Sequence, residues 1–405
     1  MNSYLQKYGF QSPKIAVTPN QKLGIVVVIP CFNEPNTTAT LDSLLQCKIP
    51  KLEFKVIVVV NQSEIIDSEI AERNLKTIAE LKFWQISHPD FPLEIMEELS
   101  LPKKHSGVGL ARKIGMDEAV HLFYQSQTDG IIVALDSDCV VENNYFQEIE
   151  SHFEQNENTP GCSIRYAHPI DGKEDDINLG IIQYELHLRY YNQALKWAGF
   201  PFAFHTVGSS MAVRSSAYQK QGGMNKRKAG EDFYFLQKII ELGSFTELNS
   251  TCVIPSPRIS DRVPFGTGKA IGDFIENDIQ IYHTYQFQIF VLLAEIPTWI
   301  SSLYEGKKVR HHNEAVQSFL DSIDFENKVE EIKNNTSSFS KFEKRFYSFF
   351  NAFTVLKFTH FMRDNGLPNQ PVSQECKLLL ATIKKQKEEG TLSELLTYYR
   401  HLDQE

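Results

Sequence analysis

Three short runs of apolar residues organise the first third of the chain: Gly24 to Pro30, Phe54 to Val60 and Ile131 to Leu135. Runs of this length with little or no polar alternation read as strands buried on both faces, the pattern of a parallel sheet covered by helices. Pro92 to Met96 reads as a further short strand. Between these runs the period changes. Thr37 to Gln46 places Leu41, Leu44 and Leu45 on one helical face, Ile65 to Phe83 reads as a second helix, and His105 to Gln127 as a third. Strand and helix in alternation predict an α/β fold with a doubly wound, mostly parallel sheet flanked by helices. Right-handed crossovers then put every strand end on one rim, so the loops at 31–36, 61–64 and 136–139 converge.

Downstream the pattern loosens. Asn143 to Gln155 reads as an exposed helix, Cys162 to Tyr166 as a strand, and Asp176 to Ala198 as a long helix ended by Gly199-Phe200-Pro201. Met211 to Arg214 is a short strand. Glu231-Asp232 opens an amphipathic helix whose apolar positions are Phe233, Phe235, Leu236, Ile239 and Ile240. From Ala270 to Glu405 the chain reads as helical, with phenylalanines at helical spacing over Lys341 to Met362 and a capping box at Thr391–Glu394. The expected division is therefore a catalytic domain over 1–269 and a helical carboxy-terminal extension over 270–405. Asn334 to Ser340 is the best linker candidate.

Composition narrows the classes. The chain has 405 residues, 42% hydrophobic and 23% charged, with a net charge of -10. That balance suits a globular core and argues against a nucleic-acid footprint, which needs a basic patch. Six cysteines without repeated spacing point to a reducing, cytoplasmic setting. Residues 1–9 lack the apolar run of a signal peptide. Phe287 to Ile300 carries Glu295 and Pro297 and reads as too short to span a bilayer, so no transmembrane segment is expected, and peripheral membrane contact stays compatible.

The candidate chemistry lies at the strand ends. Asp136 and Asp138, two apart after a buried strand, sit where open α/β sheets bind ligands, and together suit one hard cation that also holds substrate phosphates. Asp-Ser-Asp is equally ordinary turn chemistry. Gly107-Val108-Gly109 lacks a preceding strand and a third glycine, so it is a helix start and not a dinucleotide fingerprint; Arg112 and Lys113 there either reinforce an anion site or are solvated surface cations. Met224 to Ala229, bracketed by glycines, is a basic loop that reads as a lid over a bound donor or as a plain surface loop. Arg258 and Arg262 lie in a Pro- and Gly-rich stretch and suit phosphate oxygens or an anionic acceptor, or else Arg262 pairs with Asp261 or Glu231. His205 is a weak candidate for a third metal ligand.

Taken in order, these segments resemble family 2 glycosyltransferases of GT-A fold. The resemblance rests on Val28-Ile29-Pro30-Cys31-Phe32-Asn33-Glu34, Val58-Val59-Val60-Asn61-Gln62-Ser63, Gly109-Leu110-Ala111-Arg112-Lys113-Ile114-Gly115, Asp136-Ser137-Asp138, Gly208-Ser209-Ser210, Gly222-Gly223 and Gly230-Glu231-Asp232. It covers roughly residues 20 to 270. It implies an inverting, metal-dependent transfer of a sugar from a nucleotide-diphosphate sugar to an acceptor hydroxyl, on a glycan or a lipid-linked molecule. Asp136 and Asp138 would hold Mg2+ or Mn2+, and Asp232, with Glu231 as stand-in, would be the base. Pro30, Phe32, Asn33, Glu34, Asn61, Arg112, Asp136, Ser137, Arg258 and Arg262 would line the nucleotide site. Lys113 stands where the family has Asn and Asn61 where many members have Asp, which leaves the nucleotide open. Two other classes fit the sheet. A sugar-phosphate nucleotidyltransferase should carry a glycine-rich basic loop after the first strand, and Cys31 to Asn36 has neither glycine nor cation. A noncatalytic nucleotide-sugar binder would not release nucleotide when donor and acceptor meet.

Overall fold

Valine and isoleucine crowd the segments that become strands, because β-branched side chains suit a pleated surface covered on both faces. The computed structural model describes residues 2–16, 22–170, 175–258, 266–277, 280–384 and 390–404. In chain order it contains α1 (Ser3–Tyr8), β1 (Leu23–Cys31), α2 (Thr37–Leu45), β2 (Glu53–Ser63), α3 (Ser68–Ser87), β3 (Leu93–Leu101), α4 (Val108–Ser126), β4 (Ile131–Ala134), β5 (Cys139–Val141), α5 (Tyr145–Gln155), β6 (Gly161–Tyr166), α6 (Asp176–Trp197), β7 (Met211–Arg214), α7 (Ser215–Lys220), α8 (Glu231–Ile240), β8 (Thr246–Pro255) and α9 (Thr267–Glu276). The remainder is helical apart from a short ladder of His283–Thr284 on Gln370–Pro371. The residues form two compact units: Met1–Asp171 with Thr206–Gly272, and Gly172–His205 with Asp273–Glu405. The second boundary falls within three residues of the expected one at 269/270, and α6 belongs to the second unit.

The first unit holds an eight-stranded sheet in the order β3-β2-β1-β4-β7-β6-β8-β5. β3, β2, β1 and β4 run parallel, as do β6 and β8; β7 is antiparallel to β4 and β6, and β5 to β8. The sheet is thus α/β and flanked by helices as expected, but mixed. Register sets the rim. Cys31 pairs with Val60 and Val28 with Ala134, which brings the end of β1, the end of β2 and the Asp136–Asp138 turn to one edge. α4 is buried on nearly every side, and a side chain at Gly115 would lie 2.4 Å from Val28 Cγ1, so the helix rests directly on β1.

In the second unit α6 carries Arg189, which is buried between Glu185 and Asp403; Asp403 also accepts from Gln193 (2.6 Å) and contacts His205 (3.0 Å). Phe342, Phe346 and Phe350 stack inside this unit, so the aromatic stripe is core. It is broken, however, into Phe339–Phe349 and Ala352–Asp364, and Asn334 to Ser340 spans a turn between helices within the unit and is no linker. Phe287–Glu305 is long and apolar enough to cross a membrane by length and composition, longer than the sequence run suggested. Ile289, Phe290, Leu293 and Ile296 are nevertheless fully buried within the protein. Glu295, His311 and His312 also draw together. The Asn313 N–H donates to His311 Nδ1 (2.9 Å), which leaves the ring proton on Nε2, 3.2 Å from Glu295. A metal would need the lone pair of that nitrogen, so the group is a histidine–carboxylate contact.

Candidate active site

The rim is built from strand exits. After β1, Asn33 takes a left-handed conformation (φ 50°), which a short amide side chain tolerates. Its N–H donates to Asn74 Oδ1 (2.9 Å), Asn74 Nδ2 to Gln62 Oε1 (3.0 Å), and Gln62 Nε2 to the Leu99 carbonyl (3.2 Å). An amide chain centred on the buried Asn74 therefore ties the β1 exit through α3 and β2 to β3. Pro30 is buried inside β1 opposite Val59, and Phe32 is half-buried beyond it. Glu34 is buried, with its carbonyl accepting from the Thr77 hydroxyl (2.9 Å). At the end of β2, Asn61 is only 2% exposed and its Oδ1 has no hydrogen-bond partner, an orphaned acceptor at the sheet edge.

The turn after β4 is closed by its own backbone, Cys139 N–H to the Asp136 carbonyl (3.1 Å), and by the Thr40 hydroxyl on the Ser137 carbonyl (3.0 Å). Ser137 is consequently buried, while the Asp136 and Asp138 side chains remain 37% and 23% exposed. Both readings of Asp-Ser-Asp apply at different atoms. The backbone makes the turn, and the carboxylates face other partners.

Those partners are two arginines. Arg112, in the second turn of α4, is buried and donates Nη1 to Glu231 and Nη2 to Asp136. Gly208 permits this, because a Cβ there would stand 2.6 Å from the guanidinium. Arg258 donates to Glu34 and to Asp138 (3.2 Å). The Nε of each arginine is buried without a partner. Lys113 points the other way, to Tyr4 (3.0 Å) and Asp117 (3.0 Å). Neither Arg112 nor Lys113 is a solvated surface cation. Arg262 lies outside the described residues.

α8 begins at Gly230, in the left-handed region (φ 67°). Glu231 is buried and committed to Arg112, whereas Asp232 is half-buried and accepts from Gly208 N–H (2.9 Å) and from Phe233 N–H (2.7 Å). Burial pushes the Glu231 carboxyl up to about 7, with the charges of Asp232 and Asp136 adding to it and Arg112 opposing. Burial likewise raises Asp232, aided by Asp136 and opposed by Arg112 and the two N–H donors. The structure therefore brings together Glu34, Arg112, Asp136, Asp138, Glu231, Asp232 and Arg258. It does not use His205 as a ligand, since that ring is given to Asp403. Asn74 went unread. Its only signal is an amide on the buried face of α3, one turn before Thr77 and Ile78.

Residues 26–222 match the family model described as Glycosyl transferase family 2. No curated protein matches the chain. Among solved structures, a 1–349 fragment of S. aureus TarS in complex with UDP-GlcNAc is 14% identical over 70% of this chain and 80% of its own, with a TM-score of 0.40. A mannosyltransferase from Pyrobaculum calidifontis in complex with GDP-Man and Mn2+ is 14% identical over 98% of this chain and 91% of its own, with a TM-score of 0.39. The matched stretch runs from β1 past α7 and holds Asn61, Arg112, Asp136 and Asp138, while Glu231, Asp232 and Arg258 follow it. The stretch of the chain that matches glycosyl transferase family 2 is thus residues 26–222, and the chain is a glycosyltransferase.

Proposed function

We propose that this glycosyltransferase moves a sugar from a nucleotide-diphosphate sugar to a hydroxyl of a glycan or lipid-linked acceptor, with inversion, and that Asp232 is its base. The observation that carries the reading is the Arg112 guanidinium, which donates to Asp136 and Glu231 at once and so ties the start of α8 to the Asp-Ser-Asp turn. Glu231 is buried and occupied by that contact. Asp232 is the carboxylate with an open side, and burial has raised its proton affinity toward what a base near neutral pH needs. In the transfer it takes the acceptor hydroxyl proton as the new C–O bond forms at the anomeric carbon and the bond to the diphosphate breaks.

Asp136 and Asp138 fit a divalent cation. They offer hard carboxylate oxygens on one turn, both partly open to solvent, which suits Mg2+ or Mn2+. Bound there, the ion supplies charge neutralisation for the departing diphosphate. Phe32, Asn33 and Asn61 line the nucleotide side, where the orphaned Asn61 Oδ1 would accept from a base N–H, and Arg258 serves the phosphates. Six buried cysteines without a repeated spacing suit a cytoplasmic location.

The test is Asp232→Asn, assayed by nucleotide release with UDP-, GDP-, dTDP- and CMP-sugars. Donor binding should persist while transfer falls by about 100-fold or more, the scale of a lost general base. Wild-type turnover in the variant would remove Asp232 from the role.

A further inference from the structure

The segment before β1 carries no motif, yet buried carboxylates are given over to holding it. Asp117, in α4, accepts from the Tyr4 hydroxyl (2.8 Å), the Tyr218 hydroxyl (2.9 Å) and the Phe10 N–H (3.3 Å), and pairs with Lys113 (3.0 Å). Its neighbour Glu118 accepts from the N–H groups of Lys14 (2.7 Å) and Ile15 (3.3 Å). Glu98, on β3, accepts from Gln11 (2.7 Å) and Lys14 (2.6 Å). Placing adjacent carboxylates out of water is costly unless each is satisfied, and here the amino-terminal segment satisfies them. This is a built attachment.

The same segment touches the loop that leads into the site. Gly223 (φ 74°) lies against Tyr4 so closely that a Cβ there would stand 1.9 Å from the hydroxyl oxygen, and the Lys226 ammonium sits 5.7 Å from the Phe10 ring centre. On its other side the loop is pressed to the start of α4. A Cβ at Gly109 would stand 2.3 Å from the Arg227 carbonyl, and one at Gly107 2.7 Å from Lys228 Cα. Asn225 then donates to the Glu231 carbonyl (2.8 Å). Residues 222–230 contain three glycines and the consecutive cations Lys226, Arg227 and Lys228. Such a stretch loses much backbone entropy on ordering and repels itself, so its conformation must come from what grips it.

We infer that the amino-terminal segment is a strap that sets the 222–230 loop, and that Tyr4 is a positioning residue for the Glu231–Asp232 pair. The inference rests on the proposed role of Asp232. It goes beyond it in making a residue outside the matched family region govern transfer.

Tyr4→Phe in the full chain removes one oxygen and keeps the ring packed on Tyr218, 5.5 Å away. The loop offers its own reporter, since trypsin cuts after Lys226, Arg227 and Lys228. Loss of a buried hydrogen bond should speed cleavage there about tenfold and lower kcat about tenfold, while donor KM and Kd stay at wild-type values because the β1, β2 and β4 exits are untouched. Asp42→Ala is the control, deleting a part-buried hydrogen bond to the Trp84 indole (2.7 Å) elsewhere in the unit. Wild-type cleavage in Tyr4→Phe, faster cleavage with unchanged kcat, or the same changes in Asp42→Ala would each overturn the inference. Cleavage is read without turnover, so the strap's hold on the loop stays measurable even if Asp232 proves not to be the base.

Discussion

Arg112 donates to Asp136 and Glu231 from a position almost closed to water, and this makes the site's response to pH a matter of a few carboxyl groups. Burial works against the guanidinium's charge, but Asp136, Glu231 and Asp232 together hold it protonated well beyond its ordinary range. Burial pushes Glu231 up to about 7 and raises its neighbour Asp232 as well. Unfolded, Glu231 would release its proton near pH 4.3, so across the interval up to about 7 the native state binds more protons and unfolding free energy must fall as pH rises. Catalysis runs the opposite way. Asp232 must be unprotonated to act as base, and Glu231 must be charged to complete the pair with Arg112. We therefore expect kcat to climb through pH about 7 and level off while the melting temperature declines over the same range, with the stability slope reduced in Glu231→Gln. Paired measurements of kcat and melting temperature across that range check both signs, and a flat kcat profile would contradict the assignment.

At the level of elements, the strands that could be read were those buried on both faces. β1, β2 and β4 show as unbroken apolar runs, and β3 only in part because Glu94, Glu97 and Glu98 interrupt it. β8 was missed because Thr246 to Pro255 has no clean period; its buried positions are Leu248 and then Thr251, Cys252 and Val253 in succession. The direction of β7 was not legible either, since three apolar residues before Arg214 look alike run either way. The break between Phe349 and Ala352 is the most instructive miss. Phenylalanine spacing carries across it, so Lys341 to Met362 reads as one helix, but Asn351 Oδ1 accepts from the N–H groups of Phe353 and Thr354 (3.1 Å each) and starts a new one. Asn351→Ala should cost about 1 kcal/mol, and Asn351→Asp much less, by chemical denaturation. Were the alanine variant more stable, a continuous helix would be the better description.

On the scale of the whole molecule, the ordered set of motifs was visible because each lies where a strand or helix ends, but the partners were not. Nothing in the chain order says that Arg258 belongs to Glu34 and Asp138, residues far away in sequence that meet only when β1, β4 and β8 share one sheet. The same convergence gives the last prediction, because a ligand gripped by the β1, β2 and β4 exits binds the folded chain and not the unfolded one. At about 100 times its Kd such a ligand adds about 2.7 kcal/mol to stability, so the matching nucleotide sugar with Mn2+ should raise the melting temperature, and EDTA should reverse most of the shift. Asp138→Ala should lose the part that depends on Mn2+. Asn61→Ala should instead weaken the shift equally with and without the ion, because the role proposed for its orphaned acceptor is at the base and not at the diphosphate. A shift as large in EDTA as in Mn2+ would leave Asp136 and Asp138 as partners of Arg112 and Arg258, and would give the neutralisation of the leaving group to guanidinium groups in place of a divalent ion.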